Sequence, residues 1–165
     1  AQAVNLQKAS LYHHITSKQE ILLSLLDLAL DLLIDRMEQV VVQPLPPDEK
    51  LRQAMIVYLE SMLEQRELAS ILLLEHRSLE DRYRSQHIPR RDRFEALWRE
   101  LIQEGIDQDI FHCSEPALAV RGLLGVMNWT ITWYQPGGSL SADQIADQYA
   151  QLFLRGLLAR GIEHG

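Results

Sequence analysis

The stretch Ser10-Leu11-Tyr12-His13-His14-Ile15-Thr16-Ser17-Lys18 gathers hydroxyl, imidazole and ammonium donors on a short polar segment. Donors of these kinds hold the phosphates of a nucleic-acid backbone. If the segment enters a major groove, Gln7, Lys8 and Ser10 face base edges and phosphates, while Tyr12, His13 and Lys18 grip the backbone. From spacing alone, an ordinary surface turn between two helices fits as well. Metal chemistry fits poorly. Neighbouring helical side chains point about 100° apart, so His13 and His14 do not share one ion. No histidine lies three to five residues from another, and Glu-x-x-His does not occur, which argues against zinc-protease and di-iron carboxylate sites. His76, His87 and His112 read as helix-end or surface histidines. Cys113 beside His112 is no catalytic pair, and glycine-rich phosphate loops and Gly-x-Ser-x-Gly are absent. No catalysis is expected.

A second set of residues suits an apolar ligand. Trp129 and Trp133 stand four apart on one helical face, next to Asn128. Trp98 follows Phe94, and Tyr58 and Met62 sit on another apolar face. Such aromatics either line a cavity between helices or simply pack in a core or a dimer interface. Arg82, Arg84, Arg90, Arg91 and Arg93 fall within a dozen residues, opposed only by Asp92. Arginines so grouped either receive anionic groups or form a solvated face paired with nearby acids. The expected ligand-contacting residues are Tyr58, Met62, Arg91, Phe94, Trp98, Asn128, Trp129 and Trp133.

Helices must position all of these, since the hydrophobic period is helical throughout. Ser17-Lys18-Gln19-Glu20 reads as a capping box opening a long helix that stops before Pro44, Pro46 and Pro47. A second helix is expected to about Gln65, and a short apolar one over 67–77. Residues 79–106 read as a helical stretch kinked or divided near Pro89. Ser114 is the expected cap of a helix with Pro116 in its first turn, running to Trp133-Tyr134. Pro136-Gly137-Gly138 breaks it, and the capping box Ser141-Ala142-Asp143-Gln144 starts the last helix. Gly122 and Gly125 thin one helix surface; with Tyr149, Leu152 and Phe153 of the last helix they suggest a face for a second copy. The fold class is all-α.

The chain has 165 residues, nearly half of them apolar, and can bury a real core. Its net charge of −7 argues against nucleic-acid binding by the whole chain. Residues 1–19 differ, carrying Lys8 and Lys18 and no acid. No apolar run is long enough to span a bilayer, and a single cysteine excludes an internal disulfide and suits a reducing cytoplasm.

The Ser10–Lys18 segment resembles the end of the helix-turn-helix of the tetracycline-repressor (TetR) family, with Ile15 where phenylalanine is usual and Asn5 at the usual turn glycine. Asn128-Trp129-Thr130 through Trp133-Tyr134-Gln135-Pro136-Gly137-Gly138, and Arg91-Asp92-Arg93-Phe94-Glu95-Ala96-Leu97-Trp98, resemble a branch of that family controlling catabolism of fatty acids, steroids and other coenzyme A-linked acids. The resemblance implies a TetR-like fold: part of a DNA-binding domain over residues 1–24, its first portion preceding Ala1, and a ligand-binding and dimerisation domain over 25–165. It also implies a ligand-released repressor that acts as a homodimer on palindromic operator DNA. The effector it implies is a small hydrophobic acid or its CoA thioester, held among residues 47–134, with no cofactor and no membrane partner. Without the resemblance, a helical binding or dimerisation module with no DNA role remains the alternative, and an all-α enzyme a more distant one.

Overall fold

Neither glycine nor proline occurs before Pro44, so no residue type breaks a helix across the first forty positions. The computed structural model describes the backbone of residues 2–157 and the side chains of residues 18–157. Its first helix, α1, runs unbroken from Gln2 to Val41. This corrects two expectations, a turn at Asn5 and a helix start at Ser17. Both positions lie inside α1, where intrahelical bonding serves the amides that a capping box would otherwise satisfy.

Proline then sets the register. Helix α2 (Pro47–Glu64) opens with proline in its first turn and with Asp48 and Glu49 beside its positive end. It buries Leu51, Met55, Tyr58, Leu59 and Met62 along one side. The short helix expected over 67–77 is instead three pieces of different pitch: α3 (Arg66–Ser70), a π-helical stretch Ile71–Glu75 and a 3₁₀ turn His76–Ser78. Leu72 and Leu73 border a cavity and Leu74 faces solvent, so solid packing does not hold a uniform α pitch there. Helix α4 (Asp81–Asp107) passes through Pro89 undivided. Tyr83 and His87 before the proline, and Phe94, Leu97 and Trp98 after it, are all buried, and their packing keeps the helix continuous across it.

Helix α5 (Pro116–Trp133) has Pro116 in its first turn, but its cap position is Glu115 and not Ser114, one residue later than expected. Helix α6 (Ala142–Leu157) keeps half of its capping box: the Ser141 amide donates to Gln144 Oε1 at 3.0 Å, while the Ser141 hydroxyl turns to Asp143. No β-strand occurs among the described residues.

One core joins α1, α2, α4, α5 and α6 through Met37, Leu51, Met55, Trp98, Ile102, Met127 and Ala146. A smaller separate cluster, Leu26 with Leu79 and Tyr83, lies where α1 meets the start of α4. Lys50, almost buried, donates to both carboxylate oxygens of Glu104 at 2.8 and 3.0 Å and fixes α2 on α4. Arg52 holds Asp147 of α6 at 2.5 and 2.9 Å. Gly105 admits the Phe111 ring so closely that a Cβ would lie 2.1 Å from it, so the chain turns there only without a side chain.

Candidate functional site

Where α4 crosses α1, α2 and α5, packing leaves a cavity of about 530 Å³. Its wall is divided in character. Leu30, Leu72, Leu73, Ile88, Phe94 and Leu124 supply apolar surface, while His76, Arg77, Arg84, His87 and Arg91 supply cations and imidazoles. Glu95 is its one acid, and Tyr58 and Asn128 are neutral polar groups. Helical spacing explains the α4 contribution, because residues 84, 88, 91 and 95 follow the i, i+4, i+7, i+11 line of one face.

Behind the cavity stands an aromatic trio. Tyr58 meets Trp98 edge-on at 5.7 Å, Phe94 meets Trp98 edge-on at 6.3 Å, and Tyr58 and Phe94 lie 5.6 Å apart. The Tyr58 hydroxyl donates to Asn128 Oδ1 at 2.5 Å, and burial pushes its phenol well above the ordinary tyrosine range. It is therefore a neutral donor that aims the Asn128 amide. His76 borders the cavity, and its Nδ1 is buried without a hydrogen-bond partner.

The arginine cluster divides by role. Arg90 spans Asp27 and Asp31 of α1 at 2.9 Å, and Arg93 spans Glu38 and Glu100. Arg82 pairs with Glu80 and lies 4.4 Å over the Tyr83 ring. Arg84 and Arg91 border the cavity: Arg84 donates to the Leu79 carbonyl at 2.7 Å and pairs with the exposed Asp81, and Arg91 pairs with the exposed Asp92.

Of the expected ligand residues, Tyr58, Arg91, Phe94 and Asn128 line the cavity. Trp98 and Met62 do not: Trp98 is fully buried behind Tyr58 and Phe94, and Met62 belongs to the core and borders a small groove beside α1. Trp129 and Trp133 do not line it either. They stand on the outer face of α5, 68% and 46% exposed, because the cavity takes up the α5 line through Leu124 and Asn128 instead. His76, Arg77, Arg84 and His87 are lining residues that sequence reasoning left aside; the 84-88-91-95 spacing was the available signal for Arg84.

On that outer face Leu118, Gly122, Val126, Trp129 and Trp133 form one exposed stripe, and Gly122 and Gly125 have open space where a Cβ would be. Leu152 of α6 is also exposed. Tyr149 and Phe153 are half-buried against the chain's own core. The expected DNA-contacting residues Gln7, Lys8, Ser10, Tyr12 and His13 lie outside the described side chains; Lys18 is exposed. Among the described residues no group of metal-ligating side chains occurs, and no helix is long and apolar enough to cross a membrane.

The all-α arrangement of the described residues is that of solved TetR-family regulators. Residues 44–157 match the tetracyclin repressor-like C-terminal domain, and the chain belongs to the TetR family of transcriptional regulators; it is not an enzyme. Among individual relatives, the HTH-type transcriptional repressor KstR2 of Mycobacterium tuberculosis is 27% identical over 164 residues, covering 98% of this chain and 82% of the relative. The structure of that ketosteroid regulator superposes with a TM-score of 0.79 over 92% of this chain and 79% of its own. PfmR from Thermus thermophilus is 37% identical with a TM-score of 0.77, covering 97% of this chain and 87% of its own. AibR in complex with isovaleryl coenzyme A and operator DNA is 27% identical with a TM-score of 0.73, covering 88% and 79%.

Proposed function

We propose that this chain acts in a homodimeric, cytoplasmic repressor released from operator DNA by a small hydrophobic acid or its CoA thioester. The observation that carries the reading is the divided wall of the cavity. Leucines, Ile88 and Phe94 suit a hydrocarbon body, and Arg77, Arg84 and Arg91 suit an anionic head. The complex of AibR with isovaleryl coenzyme A supports the same chemical class. Residues 1–24 belong to the DNA-binding domain in this reading, and α1 joins them to the cavity, since Leu30 is one of its lining residues.

The α5 stripe supports the dimer. Two tryptophans, a leucine and a valine on one line are costly to leave in water, and a second copy of the same face, let close by Gly122, buries them about a two-fold axis. Pairing also sets two reading elements at one spacing, which operator binding requires. Effector binding is then productive only if the ligand prefers one orientation of α1; a coupling of about 1–3 kcal/mol is typical of such switches.

Native mass spectrometry of the purified protein against acyl-CoA thioesters, the free acids and neutral apolar compounds tests the effector class. Selective retention of a thioester or an acid is expected, one per protomer. Retention of neutral compounds alone refutes it.

A further inference from the structure

Two polar clamps and a small apolar cluster tie α1 to the cavity wall. At the first clamp, Gln19 Nε2 donates to the Ser78 carbonyl at 3.1 Å, and its Oε1 accepts from the Glu80 amide at 3.0 Å. That turn directly follows the lining residues His76 and Arg77. At the second, His87 Nδ1 lies 2.8 Å from Asp27 Oδ1, while Asp27 Oδ2 receives Arg90 at 2.9 Å. Gln19, Asp27 and Asp31 are spaced eight and four apart, so they share one face of α1. Between the clamps, Leu26, Leu79 and Tyr83 form the cluster that is separate from the main core. Leu72 packs against both clusters and also lines the cavity.

His87 stands at the centre of this junction. It is only 5% exposed, yet it is a lining residue. A carboxylate only accepts, so the Asp27 contact fixes a proton on Nδ1 and leaves the Nε2 edge as the ring's remaining polar contact. We infer that His87 is the positioning residue that couples the cavity to α1: a ligand met by its Nε2 edge moves Asp27, and with it the stretch of α1 held by the clamps. The inference rests on the effector reading above and assigns its transmission to one side chain. A core histidine with no such role would only fill space. Here the ring bridges the cavity and the N-terminal part of α1, which packs in the smaller Leu26–Leu79–Tyr83 cluster, while Leu30 and the residues after it anchor the helix in the main core, so displacement of the ring reaches α1 ahead of that anchor.

Hydrogen–deuterium exchange over residues 18–31 of the full-length protein tests this, with and without saturating hexanoyl-coenzyme A and with calorimetric Kd values alongside. His87→Asn keeps a donor where Nδ1 stands and loses the far edge; His87→Gln keeps a nitrogen near Nε2 and loses the donor to Asp27. The His87→Gln protein is expected to bind within about threefold of wild type while its ligand-induced change in exchange falls about fivefold or more. His87→Asn is expected to bind about tenfold more weakly, yet to show the full change once saturated. Equal effects of the two substitutions, or a full response in His87→Gln, overturn the inference. A ligand-free arm uses Leu73→Trp to fill the cavity, with Ile88→Trp in its place should exchange over α2 and α6 report misfolding. Filling is expected to alter exchange over 18–31 with His87 present and not with His87→Gln; an unaltered pattern, or one indifferent to residue 87, overturns it. If wild type does not bind hexanoyl-coenzyme A, the effector class is decided by the mass-spectrometric comparison above, and the tryptophan arm alone decides the role of His87.

Discussion

Replacing Trp129 by alanine separates the roles of the two faces of α5. The indole is 68% exposed in the single chain, so little of it supports its own protomer. A buried tryptophan covers about 150–250 Å², which leaves roughly 100–170 Å² per copy for a partner to cover. Two copies, at about 25 cal/mol per Å², give roughly 5–8 kcal/mol as an upper bound. Ordering two side chains at an interface costs about 1–3 kcal/mol, so a net loss of about 2–7 kcal/mol of dimer stability remains. That corresponds to a dimer dissociation constant raised at least about thirtyfold. Sedimentation equilibrium over nanomolar to micromolar protein measures it. Urea unfolding of the monomeric variant is expected to stay within about 0.5 kcal/mol of that of wild-type monomer, as for other exposed positions. A midpoint within threefold of wild type, or a wild type that is monomeric throughout, refutes the reasoning.

The cavity cations give a second expectation. Arg84→Gln with Arg91→Gln removes two charges facing the ligand, and titration calorimetry is expected to show hexanoate or hexanoyl-coenzyme A binding weakened at least about tenfold, with a neutral C6 alcohol unaffected. The third concerns acid stability. Hydrogen bonds from Arg52, then Gln151, hold the Asp147 carboxyl below the usual aspartate range. A depressed carboxyl stabilises the fold above its unfolded value of about 3.9 and loses that contribution as pH falls through the folded value. Denaturation at several pH values should therefore find wild type ahead of Asp147→Asn at neutral pH, with the gap closing below about pH 4; a gap that widens in acid contradicts the sign.

Much of this molecule is written in local chemistry. The prolines at 44, 46, 47 and 116 mark helix boundaries that the structure keeps, and Gln144 caps α6 as its spacing implies. Tyr58, Phe94, Arg91 and Asn128 reach the cavity because each lies on the inner line of its helix. What sequence reasoning missed depends on partners far along the chain. His87 looked like a surface histidine, since Asp27, sixty residues away, is what makes its burial tolerable. Periodicity gave Trp129 and Trp133 a shared face but not which neighbour that face meets. Pro89 and Ser17 carried local signals for breaks that helix continuity and long-range packing overrode.

The π-helical wall Ile71–Glu75 has a consequence for how such a protein diversifies. A π-turn closes over one residue more than an α-turn, so the stretch carries a spare residue in its winding. Losing that residue lets the backbone relax to ordinary pitch, with the helices on either side still in frame. A chain shortened by one position there is expected to melt near the parent temperature, by calorimetry, and to accept a different set of small molecules. Recognition can thus drift by single-codon length changes while the scaffold stays as it is.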